Sequence, residues 1–240
     1  AVDRHVIKGK GEKTAIIYDS AIRSVKEKIT YNQLLERVTK FAHAMSNAGI
    51  TKGDRVIIYM PMIPEAIVSM LACSRIGAIH SVVFGGFASN ELAVRIDDAK
   101  PKAIIAGSCG IEPTSIIPYK PLLDKAIEQA NHKPNFCVIF QRDELQAPLV
   151  SNRDYDWYEF QKSSSECTCI PVFGNDPLYI LYTSGTTGQP KGVVRPTAVN
   201  LVILMWTMKN FYGADEDDIF WAASDVGWVV GHSYIVYAPL

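Results

Sequence analysis

The 240-residue chain has few cysteines, almost no net charge and no long apolar run. Each shortage removes a class of function. The five cysteines, Cys73, Cys109, Cys137, Cys167 and Cys169, are odd in number and too sparse for a disulfide scaffold, which suits a reducing compartment. Cys167 and Cys169 lack CxxC spacing and no histidine pair lies near them, so no metal site is expected. A net charge of -1 gives no global pull toward nucleic acid or membrane, and any anion site has to be local. No stretch reaches the ~18 apolar residues of a membrane span, and AVDRHVIKGKGEK lacks the apolar centre of a signal peptide. The chain reads as a globular protein of the cytoplasm, or of the mitochondrial matrix if eukaryotic.

What is present is a rhythm. Thr30 precedes a helical pattern (Leu34, Leu35, Val38, Phe41, Ala42, Met45), with Gln33 placed for a capping box and Gly49 as a stop. Arg55–Met60 reads as a buried strand, Pro64 opens a helix to Arg75 that Gly77 closes, and Ala78–Phe84 is the next strand. Ser89 is the expected N-cap of a helix to Ala99, followed by the strand Lys102–Ala106, a helix at 121–131 and the strand Phe136–Phe140. Helices alternating with apolar strands predict an α/β fold with a mainly parallel sheet, whose ligands bind at the carboxyl ends of the strands. Residues 1–140 are read as a first lobe and 141–176, polar and without periodicity, as a connecting excursion. Residues 177–240 are read as the truncated start of a second lobe, with a helix near 198–212 and a strand Ile219–Ala223. The apolar ending leads to the expectation that more protein follows.

The run YTSGTTGQPKGVV at 182–194 stands apart. Eight of the ten residues from Thr183 to Gly192 are Thr, Ser, Gly or Lys. Glycine-rich backbone can turn several N–H groups onto one anion, and the hydroxyls of Ser184, Thr186 and Thr187 add donors for phosphate oxygens. Gly185 and Gly188 permit dihedrals closed to other residues, and Lys191 brings a point charge on a flexible stem. A hairpin loop rich in turn formers is the bland alternative. A Walker loop does not fit, because Lys191 is followed by Gly192 and not by Ser or Thr.

This run resembles the phosphate-binding signature of the AMP-forming acyl-CoA synthetases, the adenylate-forming enzymes. Residues 58–102 and ASDVGWVVGHSYIVYAPL at 223–240 are similar to their short-chain branch, and GIEPTSIIPYKPLL at 110–123 is most similar to the propionyl-CoA synthetases. The resemblance implies a two-step reaction. A short carboxylate, propionate or acetate, attacks the α-phosphate of Mg2+-ATP to give an acyl-adenylate and pyrophosphate; the thiol of coenzyme A then displaces AMP. It also implies site residues. Thr183, Ser184, Gly185, Thr186, Thr187, Gly188 and Lys191 would hold ATP phosphates, and Trp228, Val229, Val230 and His232 would form the acyl pocket. Gly85, Gly86, Glu112 and Ser115 would lie beside coenzyme A.

Two departures matter. Val230 stands where the acetyl branch usually has Thr, which suits a slightly longer acyl chain. Glu112 and Ser115 stand where that branch carries two arginines for the coenzyme's phosphates. The family's catalytic lysine, its adenine-holding elements and its acidic metal contact would lie downstream of Leu240, so residues 1–240 alone are expected to be inactive. His232 is read as either a carboxylate-orienting group or a core histidine, and Asp225 as capping a turn. Two other readings stay open: a different adenylate-forming enzyme, and a phosphate- or nucleotide-binding module without chemistry.

Overall fold

The computed structural model describes residues 1–183 and 190–240. The chain opens with α1 (Val2–Ile7) and the antiparallel hairpin β1 (Thr14–Ser20) and β2 (Val25–Thr30), segments to which the sequence reading assigned no elements. Helix α2 (Tyr31–Asn47) starts on the expected capping box: Thr30 Oγ1 accepts from Gln33 N, and Gln33 Oε1 accepts from Thr30 N. Then follow β3 (Arg55–Tyr59), α3 (Pro64–Arg75), β4 (Ile79–Val82), α4 (Ser89–Ala99) and β5 (Ala103–Gly107). Gly49 and Gly77 both take positive φ where the chain leaves α2 and α3, as stop residues should.

A small antiparallel hairpin, β6 (Cys109–Glu112) and β7 (Ser115–Pro118), is inserted before α5 (Tyr119–Gln129) and β8 (Phe136–Phe140). β9 (Asp154–Asp156) and α6 (Trp157–Phe160) come next. β10 (Pro177–Thr183), β11 (Lys191–Pro196), α7 (Thr197–Thr207), a π-helical turn at Met208–Tyr212 and the short turn α8 (Val229–Gly231) follow, with a second π-helical turn at His232–Tyr237.

Seven strands form one sheet in the order β11-β10-β4-β3-β5-β8-β9, parallel throughout except for β11. Strand alternation splits the apolar side chains between two faces. Val56, Ile58, Ile105 and Val138 pack with α2 and α3 on one side, and Ile57, Tyr59, Ile104 and Ile139 with α4 and α5 on the other. β3 leads to α3 on the first face, whereas β4 and β5 lead to α4 and α5 on the second. The chain therefore reverses its direction of winding around β3, and the carboxyl ends of β3, β4 and β5 border a crevice of the kind where such sheets bind ligands.

Several expectations are corrected. Ser89 is not the N-cap of α4: Ala88 holds the extended cap position (φ −69°, ψ 163°), Ser89 is the first helical residue, and no side chain caps the end. Helix α5 begins at Tyr119, two residues before the predicted start. No strand forms at Ile219–Ala223; the segment is irregular, and Ile219 and Trp221 are each 82% exposed. An apolar run becomes a strand only when a neighbour takes its hydrogen bonds, and no described strand lies against this one. The 141–176 stretch is less irregular than its composition suggests. β9 adds to the sheet beside β8, and Asp156 caps α6, accepting from the N–H groups of Tyr158 and Glu159. Trp157 then stacks on Phe41 at 4.0 Å. At the other edge, β10 joins the same sheet through Tyr179 and His80. Helix α7 is apolar nearly all round but buries only Leu204, leaving Val202, Met205 and Trp206 mostly exposed.

Candidate active site

The expected site residues come from five places in the sequence, and the fold gathers a subset of them at the carboxyl edge of the sheet. Thr183 and Lys191 are directly paired partners at the loop end of the β10–β11 hairpin. The loop expected to hold phosphate is thereby closed at its base, with both flanking residues exposed. Ser184, Gly185, Thr186, Thr187 and Gly188 lie outside the described residues.

Beneath that hairpin mouth, Tyr182 is buried and donates to Asp98 Oδ2 at 2.6 Å. Burial first, and then this bond to a carboxylate, raise its hydroxyl above the usual phenol range. The guanidinium of Arg95, itself buried and bonded to Glu91, lies 5.5 Å from the Tyr182 ring and 4.6 Å from the Phe87 ring. One cation therefore bridges the end of β10 to the loop that follows β4.

That loop carries Gly85 and Gly86 between Phe84 and Phe87. Tyr59, at the end of β3, donates to the carbonyls of Gly85 and Phe87, at 3.3 and 2.9 Å. Trp228 meets the same loop from the other side, 5.9 Å from the Phe84 ring and 6.3 Å from Phe87. At Gly227 a side-chain carbon would stand 3.0 Å from Phe84 Cα, so the two segments touch through backbone. The expected acyl wall and the expected coenzyme-proximal glycines are thus neighbours. Val229 and Val230 continue the wall and are about half exposed, at 42% and 45%. Asp225 shapes the turn, as expected: its carboxylate accepts from Gly227 N at 2.7 Å and its carbonyl from Trp228 N at 3.0 Å. Glu112 and Ser115 are opposite each other at the exposed tip of the β6–β7 hairpin.

His232 lies apart from the exposed valines. Fully buried, it stacks on His80 at 5.5 Å and packs at a tilt against Tyr179 at 4.6 Å, and its Nδ1 is 3.1 Å from the Trp228 carbonyl. A carbonyl only accepts, so Nδ1 carries the proton and Nε2 is bare. Burial holds its pKa at about 4. His80 extends the cluster through Tyr237 to Ser74.

The AMP-binding enzyme family model matches residues 3–240. The chain belongs to that family. Among relatives of this AMP-binding enzyme chain, rat "Acyl-CoA synthetase short-chain family member 3, mitochondrial" is 54% identical over 241 residues, covering 100% of this chain and 35% of that protein. "Acetyl-coenzyme A synthetase" of Desulfatibacillum aliphaticivorans is 44% identical, again over 100% of this chain and 37% of that protein. The crystal structure of Brucella canis acyl-CoA synthetase superposes with a TM-score of 0.80 at 25% identity, covering 95% of this chain and 38% of that one. The AMP-binding chain therefore spans a little over a third of the length of the relatives it matches.

Sequence reasoning passed over Tyr59, Arg95 and Asp98, the side chains that brace the loops of the candidate site, and Tyr119 beside Gly85. Arg95 and Asp98 sit on α4 among ordinary surface charges, and only the crossing of α4 behind β10 and the Gly85 loop gives Arg95 its two aromatic rings and Asp98 its tyrosine. A tyrosine ending an apolar strand, as Tyr59 does, carries no signal that its hydroxyl reaches two carbonyls.

Proposed function

We propose that the protein carrying this chain is an AMP-forming short-chain acyl-CoA ligase. It activates propionate or acetate with ATP, releases pyrophosphate, and transfers the acyl group from the adenylate to coenzyme A. The observation that carries the reading is the adjacency of three parts at the sheet's carboxyl edge: the Thr183–Lys191 hairpin mouth, the Gly85–Gly86 loop and the Trp228 wall. Ser184, Gly185, Thr186, Thr187 and Gly188, with Thr183 and Lys191, cradle the β- and γ-phosphates. A donor-lined loop with one lysine suits a reaction that depends on positioning and on neutralising spreading charge.

Trp228, Val229 and Val230 bound the acyl group, with His232 beneath them holding the Trp228 carbonyl. Coenzyme A runs beside Gly85 and Gly86 toward the hairpin tip at Glu112 and Ser115, which offers its phosphates no cation. Mg2+ enters on the phosphates of ATP. Among the described residues no group of three His, Cys, Asp or Glu side chains offers it ligands, and no step is assigned to it. Lobes at 1–140 and 177–240, joined by 141–176, are the proposed organisation, and the cytoplasm or mitochondrial matrix the proposed compartment. No described helix is long and apolar enough to cross a membrane.

The test is carboxylate-dependent exchange of labelled pyrophosphate into ATP by the full-length protein, with acetate, propionate and butyrate, beside Lys191→Ala. Exchange with propionate or acetate, much reduced in the variant, is expected. ATP binding without exchange for any carboxylate would favour the non-catalytic nucleotide-binding module instead.

A further inference from the structure

Tyr119 opens α5, and its ring is 95% buried. An ideal side-chain carbon on Gly85 would stand 2.2 Å from the Tyr119 hydroxyl oxygen, and one on Gly110 would stand 2.5 Å from it. At both glycines the three nearest atoms all belong to the tip of this phenol. The tip is therefore wedged between two backbones: the loop after β4 and the first strand of the β6–β7 hairpin. Gly85 then has a reason to be glycine that is independent of any ligand. A methyl group at either position could not coexist with the phenol where it stands.

The surroundings tie this wedge to the site. Tyr59 packs at a tilt 4.9 Å from the Tyr119 ring while binding the Gly85 and Phe87 carbonyls, so two tyrosines brace one loop. Burial, followed by the charge of Asp225, pushes the Tyr119 hydroxyl up to about 12, and Glu112 adds to it from the hairpin tip. Asp225, Glu112 and Gly85 come from three separate segments, and Tyr119 stands within the reach of all three. Among the described residues its hydroxyl has no hydrogen-bond partner.

We infer that Tyr119 is a positioning residue for the thiol-dependent half of the reaction: its phenol tip sets the separation between the Gly85–Gly86 loop and the β6–β7 hairpin. This inference rests on the proposed reading that these two elements flank coenzyme A. The wedge acts by volume, so the ring matters more than the hydroxyl. The backbones it separates are those at Gly85 and Gly110, not the hairpin that flanks the expected phosphate loop, so the adenylation half depends on it less than thioester formation does.

The experiment uses the full-length protein and measures two quantities for each variant: carboxylate-dependent pyrophosphate exchange, and KM for coenzyme A in thioester formation. Tyr119→Leu removes the tip and is expected to raise KM for coenzyme A by about 10-fold while exchange changes less than about twofold. Tyr119→Phe keeps the ring and should stay within about threefold of wild type in both. Gly110→Ala pushes a methyl against the tip and should also raise KM for coenzyme A. Adding Tyr119→Leu to Gly110→Ala makes room for that methyl, so the double variant should lie nearer wild type than either single one. Equal loss of both half-reactions in Tyr119→Leu, or no change in KM for coenzyme A, would overturn the inference. Absence of exchange in the wild-type protein would instead remove the acyl-CoA ligase reading on which it rests.

Discussion

His232 makes the stability of this region depend on pH in a calculable direction. Its Nδ1–H donates to the Trp228 carbonyl, and among the described residues Nε2 is buried without a partner. The groups facing it are rings: Tyr179 at 4.6 Å and His80 at 5.5 Å, with Tyr237 behind them and no carboxylate. Burial depresses its pKa from 6.5 to about 4. In the unfolded chain the ring protonates near 6.5, so between these values the unfolded state binds the extra proton. The stabilisation is therefore complete above about pH 6.5 and is lost progressively as pH falls toward 4.

Lowering the pH from 7 to 5 should cost about 2 kcal/mol from this group alone, since one pKa unit is worth about 1.4 kcal/mol. His80, whose pKa burial also holds well below 6.5, adds loss in the same direction. The assay is urea denaturation of the full-length protein followed by tryptophan fluorescence at both pH values, for wild type and His232→Asn. The asparagine amide nitrogen stands where Nδ1 does, so it can still donate to the Trp228 carbonyl but does not titrate. The expected loss between pH 7 and 5 is about 2 kcal/mol smaller in the variant. Equal losses in the two proteins would refute the assignment of a neutral, buried imidazole at this position.

Three further outcomes are expected. Gly231→Ala would place a methyl 1.9 Å from the Asp225 carbonyl oxygen and 2.7 Å from Val226 Cα, so backbone has to move. It should destabilise by about 2 kcal/mol or more in urea and raise KM for the carboxylate through displacement of the Trp228 turn. Lys120, 1% exposed, is bound to Asp124 and to the fully buried Asp154 at 2.9 Å. Lys120→Met leaves Asp154 to Arg153 and the Val150 N–H and should cost about 3 kcal/mol, read as a lowered thermal midpoint. Val230→Thr should shift the ratio of kcat/KM for propionate over acetate toward acetate by about fivefold, within the ~1–3 kcal/mol that one methylene supplies; an unchanged ratio would detach Val230 from acyl selection.

Apart from the β6–β7 hairpin, which was not foreseen, the helices and strands of residues 30–140 were legible because each carries its own local signal. The capping box at Thr30 and Gln33, Pro64 at the start of α3 and the continuous apolar runs of β3, β5 and β8 are properties of short stretches, and the structure keeps them. β9 was illegible because three residues are too few to show alternation, and its pairing with β8 was set by where the chain returned. The strand expected at 219–223 failed for the complementary reason. Its apolar run is real, but a strand needs a partner for its backbone, and none of the described strands supplies one.

The chemistry divides in the same way. Sequence by itself determined the parallel α/β class, because uninterrupted apolar strands alternating with amphipathic helices can be buried on both faces in few other ways. It also marked the hydroxyl- and glycine-rich stretch 183–192 as chemically unusual, while the tryptophan segment 228–230 stood out only through the family resemblance. Only tertiary structure decided what they stand next to. Contacts between residues far apart in the chain, such as Trp228 with Phe84 or Tyr119 with Gly85 and Gly110, depend on how helices and loops pack across the sheet, and no local stretch encodes that. The same packing places His232, read from sequence as either a carboxylate-orienting group or a core histidine, beneath the Trp228 turn: its ring is stacked on His80 and its one proton is donated to a backbone carbonyl.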